Sequence, residues 1–471
     1  MKGLDLKNDA DLTISRLAPL IRRRKLSPVE LTRYILSRIE QLQPDVNAYI
    51  TVTSGLALRQ ARRAEKEISA GDYRGPLHGI PISAKDLFYT RGIRTTAGSR
   101  ILRHFTPGED APSVKRLFEA GAVLLGKTNL HEFAYGVTNV NLHYGAVRNP
   151  WDHQRMSGGS SGGSAAGVSA AMALASLGTD TGGSIRIPAA ACGCVGLKPT
   201  HGRVSLSGVI PLAPSLDHVG PLSRCVEDAA LLLSVIAEKA GDDRAFVYSA
   251  RRLRQDVRGL RVGIPRQYFF DRVQREVREQ VLAAVAQLAG LGCGLTEVNL
   301  EMMDETDDLA GVITVAEALP YHWRWLNSRF KEYDPAISGR MMASRDMPAV
   351  QYLQAQNRRR IYSDAFERAM RPVDVLVAPT LPVMAPRLED TEVSWGRSRE
   401  DVRMALLRLT RPGNLTGLPS MSIPCGFSRE HLPMGLQLIG KRWDEATLLR
   451  VAFAYEQATS WHKLFPADRA E

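Results

Sequence analysis

Short apolar runs of β type alternate with helical stretches along most of this 471-residue chain after Gly79. Such alternation is typical of α/β folds, because strands and helices that take turns along a chain pack as layers around one sheet. The runs lie at Ile80–Ser83, Ala122–Gly126, Leu260–Ile264, Val373–Ala378, Ser420–Pro424 and Gly435–Ile439. The pattern predicts a large mixed β-sheet core covered by helices, and the last two runs are expected to complete the same sheet.

The beginning of the chain has a helical pattern instead. Apolar residues at helical spacing, such as Leu31 and Ile35, predict amphipathic helices over about residues 1–70. Ser27 followed by Pro28 is a typical N-cap and first helical residue. We therefore expect a helical layer that covers part of the sheet.

Composition bears on location and on partners. No stretch approaches 18 uninterrupted apolar residues, and the first residues lack the apolar core of a secretory signal. The five cysteines are an odd number without the paired spacing of a disulfide scaffold, which fits a reducing cytoplasm. The formal net charge of +11 is spread along the chain, so nucleic-acid binding is not expected. We expect a cytoplasmic protein without a membrane span.

Two segments rich in glycine and serine stand out, at Ser157–Ser164 and Leu177–Pro188. They flank an Ala-rich apolar run, Ala165–Leu177, that predicts a buried helix. Glycine allows the backbone to approach a ligand closely, and successive N–H groups that converge on one point can stabilise an oxyanion. The candidate donors are the N–H groups of Thr181, Gly182, Gly183 and Ser184. A phosphate-binding loop is the alternative, but neither segment has the Gly-x-x-x-x-Gly-Lys-Ser/Thr pattern.

Lys85 closes one of the apolar β-type runs, which is an unusual position for a charged side chain. Burial would lower its pKa, and an unprotonated amine can act as a general base. The alternative is a lysine at a strand end whose ammonium group reaches solvent.

Together these segments resemble the amidase signature family. The resemblance rests on Gly79–Asp86, Gly126–Asn129 with Glu132 and Phe133, Tyr144-Gly145 with Asn149-Pro150, Gly158–Ser164, Gly178–Pro188 and Gly196–Thr200. It is dense from about residue 75 to residue 228, and it continues in Asn414–Pro419 and Gly435–Gly440 near the C-terminus. Several motifs in the same order make the resemblance specific.

The resemblance implies a catalytic set of two serines and a lysine. Ser184 would be the nucleophile, Ser160 would follow a cis peptide bond and relay the proton, and Lys85 would be the base. Supporting roles fall on Ser161, Asp180 and Arg186. The implied activity is hydrolysis of a carboxamide or related C–N bond, including urea or carbamate, through an acyl-enzyme without cofactor or metal. The implied partner is a small-molecule amide, with a homodimer left open.

The resemblance also implies one amidase domain over residues 1–471, with the signature core at about 75–230. A variable region at about 300–400 would shape the substrate pocket. Tyr321, Trp323 and Trp325 in that region would line an apolar pocket or pack into the core.

Two other functional interpretations stay open. Gly158–Gly162 also fits the Gly-x-Ser-x-Gly elbow, which would make Ser160 the nucleophile and require a downstream histidine; histidines follow at His201, His218, His322, His431 and His462. The chain is also similar to the amidase component of glutamine-dependent tRNA amidotransferases, which releases ammonia from glutamine. Arg359 would then match that component's substrate-carboxylate arginine, whereas Leu407 stands where it has an acidic residue.

Overall fold

A computed structural model describes residues 12–238 and 246–466 and contains one eleven-stranded mixed sheet. Its strands are β1 (Tyr49–Val52), β2 (Pro81–Lys85), β3 (Val123–Thr128), β6 (Ala175–Asp180), β7 (Val195–Lys198), β8 (His218–Ser223), β9 (Arg261–Pro265), β10 (Gly294–Val298), β11 (Val375–Pro379), β14 (Ser420–Phe427) and β15 (Pro433–Gly440). Two small hairpins pair β4 (Arg148–Asn149) with β5 (Asp152–Met156) and β12 (Glu392–Trp395) with β13 (Ser398–Asp401). All six predicted strands are present, so the α/β prediction is confirmed.

The strand order in the large sheet is β1-β3-β2-β6-β8-β7-β14-β15-β11-β9-β10. β3, β2 and β6 are parallel, as are β11, β9 and β10. The strands between these two groups pair antiparallel, and so does β1 with β3. The C-terminal hairpin β14–β15 joins the two groups, which confirms that this end completes the same sheet.

Helices cover the sheet. They are α1 (Ile14–Arg22), α2 (Pro28–Val46), α3 (Ser54–Ala70), α4 (Pro112–Glu119), α5 (Gly162–Ser169), α6 (Arg186–Cys192), α7 (Val226–Ile236), α8 (Ala250–Leu253), α9 (Arg275–Gly290), α10 (Thr306–Ser328), α11 (Pro335–Met342), α12 (Ala349–Ala369), α13 (Val402–Arg408), α14 (Arg411–Leu415) and α15 (Glu445–Gln457). None of the helices in the described ranges is long and apolar enough to cross a bilayer.

The helical N-terminal layer is formed by α1, α2 and α3. Ser27 caps α2 as predicted, because its hydroxyl accepts hydrogen bonds from the N–H groups of Val29 and Glu30, both at 3.1 Å. Leu31 and Ile35 are fully buried on the face of α2 that meets the core. β1 interrupts this layer, and the pattern did not predict it. The first eleven residues of the predicted layer lie outside the described residues.

The prediction of one buried helix over Ala165–Leu177 is wrong in its second half. α5 ends at Ser169, the backbone turns at Ala171 with a φ of 52°, and the chain enters β6 at Ala175. β6 is a central strand that pairs with β2 and β8. Strand pairing therefore decides the conformation of a segment whose composition favours a helix, because central strands are buried on both faces and need no alternating pattern.

The aromatic residues of α10 mostly pack into the core. The rings of Tyr321 and Trp325 lie 6.4 and 6.3 Å from that of Phe133 between centroids. Trp323 points away, with 44% of its surface exposed. Core packing, rather than an apolar substrate pocket, is therefore what these side chains form.

Candidate active site

Two parallel strands deliver the central groups of the site. β2 and β6 are neighbours in parallel register, with Ala84 opposite Leu177. Parallel neighbours end at the same edge of a sheet, so Lys85 at the end of β2 lies beside Thr179 and Asp180 at the end of β6. The loop that carries Ser184 leaves the sheet at this edge, directly after Asp180.

Lys85 is fully buried, so the prediction of a buried amine is supported over that of a solvent-reaching one. Its Nζ donates to Ser160 Oγ at 2.8 Å and to Thr179 Oγ1 at 2.7 Å. Burial lowers the pKa of Lys85 to about 7, although the charges of Asp180 and Asp217 partly offset this effect. At neutral pH a large fraction of this amine is therefore uncharged.

Ser160 is held in a buried loop between β5 and α5. The peptide bond between Gly159 and Ser160 is cis. The neighbouring Ser161 fastens this loop to both sides of the site. Its Oγ donates to Thr179 O at 3.1 Å, and its N–H donates to Ser184 O at 3.2 Å. Ser161 thus connects the loop of Ser160 to β6 and to the loop of Ser184.

The loop of Ser184 requires glycine at position 183. Gly183 has a φ of +133°, and a Cβ there would lie 2.1 Å from Thr410 Oγ1. That hydroxyl donates to Gly182 O at 2.6 Å, so no space remains. The Gly183 N–H donates to Asp180 Oδ1 at 2.8 Å. This donor is therefore engaged within the protein, unlike the role in an oxyanion site that the sequence suggested for it.

A buried ion pair braces the same loop. Arg186 donates to both oxygens of Asp180, with N–O distances of 3.0 and 3.1 Å. Burial alone would raise the pKa of Asp180, but the charge and hydrogen bonds of Arg186 lower it well below its ordinary value. Arg186 also donates to Gln437 Oε1 and Asn414 Oδ1, which ties the loop to the C-terminal half of the chain. Asp180 and Arg186 thus occupy the supporting positions predicted for them.

A small cavity of about 40 Å³ opens beside Ser184. Its lining includes Thr181, Leu407, Arg403 and Arg411. Sequence reasoning placed Leu407 at the substrate but did not find the two arginines, since no motif surrounds them.

Arg359 lies elsewhere. Its guanidinium donates to Leu415 O and to the hydroxyl and carbonyl oxygens of Ser215, at 2.7 to 3.0 Å. It is not among the residues that line the Ser184 cavity. The suggested match to a substrate-carboxylate arginine therefore finds no support in its position, because the guanidinium is already bound by backbone and serine oxygens.

The alternative with a histidine base fits the geometry poorly. Ser160 Oγ accepts its hydrogen bond from Lys85. His218 Nδ1 lies 2.7 Å from Leu216 O, and His322 Nδ1 lies 2.9 Å from Tyr333 Oη. Both rings are thus engaged with other partners. The nitrogen base beside Ser160 is a lysine.

The family follows from a comparison with known proteins. The family model described as Amidase matches residues 30–449, which is most of the chain. The chain belongs to the amidase family and is an amidohydrolase, which confirms the resemblance inferred from the motifs.

Relatives extend along nearly the whole chain. The chain is 41% identical to the glutamyl-tRNA(Gln) amidotransferase amidase component of Geobacter sp. (strain M21), over 96% of this chain and 98% of that one. A solved vestigial protein complex that reveals the origins of an s-triazine catabolic enzyme superposes with a TM-score of 0.88 at 35% identity, covering 94% and 98%. A peptide amidase from Stenotrophomonas maltophilia superposes with a TM-score of 0.81 at 30% identity, covering 95% and 96%. The likeness therefore includes both amidotransferase components and amidases.

Proposed function

We propose that this chain hydrolyses the C–N bond of a carboxamide, with Ser184 as nucleophile, Ser160 as proton relay and Lys85 as base. The observation that carries the proposal is the buried amine of Lys85, whose pKa is about 7 and whose Nζ lies 2.8 Å from Ser160 Oγ. A base poised near neutral pH combines sufficient basicity with a deprotonated population.

The reaction begins with a proton transfer. Uncharged Lys85 accepts the proton of Ser160, Ser160 accepts that of Ser184, and the oxygen of Ser184 attacks the amide carbonyl. The same relay in reverse delivers a proton to the departing nitrogen, which an amide needs because an amide anion is a very poor leaving group. Water then attacks the acyl-enzyme by the same route and releases the acid.

The oxyanion of the tetrahedral intermediate needs N–H donors. The loop offers those of Thr181, Gly182 and Ser184, while the N–H of Gly183 is bound to Asp180. This hydrogen bond fixes the direction of the loop, and a fixed donor set stabilises charge better than a mobile one. Asp180 therefore acts as a positioning residue in this proposal.

Fluorophosphonate labelling tests the assignment of the nucleophile. Intact-mass measurement should show one adduct on the protein, and peptide mapping should place it on Ser184. Ser184→Ala should take no adduct, whereas Ser160→Ala should be labelled slowly, because it keeps the nucleophile and loses the relay. An adduct on Ser160 in the unaltered protein would contradict the proposal and favour the elbow alternative.

A second candidate is the amidase component of a glutamine-dependent tRNA amidotransferase. The 41% identity to a protein of that kind supports this candidate more strongly than it supports a stand-alone amidase. The cavity argues in the other direction, because Leu407 lies against Gly182 at the position where an acid is expected. Glutaminase activity and co-purification with further components of such a complex would establish the second candidate, and hydrolysis of other amides by the isolated chain would establish the first.

We also propose a cytoplasmic location. All five cysteines are free thiols buried in the fold. Proteins of oxidising compartments usually pair such thiols. Fractionation of the source cells, with the chain followed by antibody, would test this location.

A further inference from the structure

The cavity beside Ser184 has an unusual charge balance. Two guanidinium groups, those of Arg403 and Arg411, line it together with Ser184, Leu407 and Tyr135. Among the described residues, none of those that line it is acidic. A nucleophile that attacks a neutral amide does not require two cations at this place, so their presence needs a separate explanation.

Arg411 has a partner within the protein. Its Nη1 contacts Asp307 Oδ1 in an ion pair that is largely buried. One carboxylate therefore serves one of the two guanidinium groups. This pair fixes the position of Arg411 at the wall of the cavity.

Arg403 has no carboxylate partner of this kind within residues 12–238 and 246–466. Its Nη1 lies 3.6 Å from Met404 Sδ, and its buried Nε has no hydrogen-bond partner in the same part of the chain. Burial and the neighbouring charges of Arg411 and Arg340 lower its pKa to about 10. Asp401 lies two residues before it, but that side chain caps α13 by accepting from the N–H of Met404 at 3.1 Å.

A third guanidinium adds to the positive charge. Arg340 lies over the ring of Tyr135 at 4.9 Å, and its Nη2 donates to Tyr135 O at 2.7 Å. Arg403 lies over the same ring at 5.9 Å. The Nε of Arg340 is likewise buried without a hydrogen-bond partner among the described residues. In the part of the chain that the structure describes, three cations thus surround Tyr135 and the cavity, and Asp307 supplies the carboxylate paired to one of them.

We infer that the substrate carries a carboxylate, which Arg403 and Arg411 bind beside the scissile amide. Buried guanidinium groups without a counterion are costly, and a ligand carboxylate that accepts two parallel N–H bonds would offset that cost. The small volume of the cavity favours a short acyl chain between the two functional groups. The inference rests on the proposed function, since the cavity is that of Ser184.

The same wall disfavours a free amine next to that carboxylate. Leu407 Cδ2 comes within 2.9 Å of the place where a Cβ on Gly182 would stand, so an apolar group closes this side. An ammonium group there would meet cations and an apolar side chain and would find no acid among the described lining residues. We therefore expect the monoamide of a small dicarboxylic acid to fit better than an amino-acid amide such as glutamine.

Three matched amides test this inference on the full chain. Glutaramate carries an amide and a carboxylate, pentanamide replaces the carboxylate by a methyl group, and glutamine adds an amine to glutaramate. Ammonia release should give a kcat/KM for glutaramate at least about 10-fold above that for pentanamide, as expected for hydrogen bonds to a charged group. Glutamine should be slower than glutaramate. Equal values for glutaramate and pentanamide, or a faster reaction of glutamine, would overturn the inference.

Variants assign the effect to residues. Arg403→Met should lower kcat/KM for glutaramate about 10- to 100-fold and leave that for pentanamide within about threefold, because only the charged substrate loses hydrogen bonds. Arg403→Lys should restore part of the difference. Arg399→Met is the matched control, since Arg399 is exposed and pairs with Glu392 on β12. An equal loss for both substrates in Arg403→Met, with an unchanged unfolding midpoint, would contradict carboxylate recognition.

Failure of the proposed function gives a different result. In that case no amide of the panel is hydrolysed and Ser184 takes no fluorophosphonate adduct, so the function and the inference fall together. Labelling of Ser184 together with hydrolysis of pentanamide and no preference for glutaramate would reject the inference alone.

Discussion

The acid limb of the pH–rate profile should report the ionisation of Lys85. Only the uncharged amine accepts a proton, and burial places its pKa at about 7. The value of kcat/KM should therefore rise about tenfold per pH unit below pH 7 and level off above it. A lysine in solvent, with a pKa of about 10.4, would keep the rate rising far into the alkaline range.

Thr179→Val should move that limb without removing the base. Lys85 donates to Thr179 Oγ1 at 2.7 Å, and this acceptor stabilises the charged form. A hydrogen bond to a charged group contributes about 1.5–3 kcal/mol, and about 1.36 kcal/mol corresponds to one pKa unit. The pKa of Lys85 should therefore fall by up to about 1–2 units, and the acid limb should move down by the same amount.

Lys85→Met is the companion variant, since it keeps most of the length of the side chain and removes the amine. Its kcat/KM should fall by about 10²–10⁴, the usual contribution of a general base. The assay is ammonia release from one amide between about pH 5 and pH 10, with circular dichroism at each pH to exclude unfolding. An acid limb near pH 7 that persists in Lys85→Met, or that stays in place in Thr179→Val, would refute the assignment of Lys85 as base.

Three further predictions concern the frame of the site. Arg186→Met leaves the carboxylate of Asp180 buried without its counterion, so the free energy of unfolding measured with urea should fall by about 3–5 kcal/mol; an unchanged midpoint would show that the pair is not needed. Gly183→Ala forces a Cβ against Thr410 and should lower kcat about 100-fold by displacing the loop, while retained activity would mean that the loop adjusts. Ser27→Ala removes the cap of α2 and should cost about 1 kcal/mol in thermal unfolding with kcat unchanged.

Local patterns in the sequence determined the strands and the motifs. The apolar runs at β2 and β14–β15 and the cap at Ser27 were predictable, because strand burial and capping depend on a few adjacent residues. The resemblance of the motifs indicated Lys85, Ser160 and Ser184 as one set. The helix expected over Ala165–Leu177 failed, since a central strand and a buried helix have the same apolar composition.

Only the tertiary structure decided which distant groups meet. Lys85 and Thr179 come together because β2 and β6 are parallel neighbours, a pairing that no local pattern specifies. Burial in that place lowers the pKa of the amine, so its role depends on the fold around it. Arg403 and Arg411 belong to no motif, and they reach the cavity of Ser184 only because helices α13 and α14 pack against its loop. The charge of a pocket is a sum over side chains from distant segments, and the chain order alone does not contain that sum.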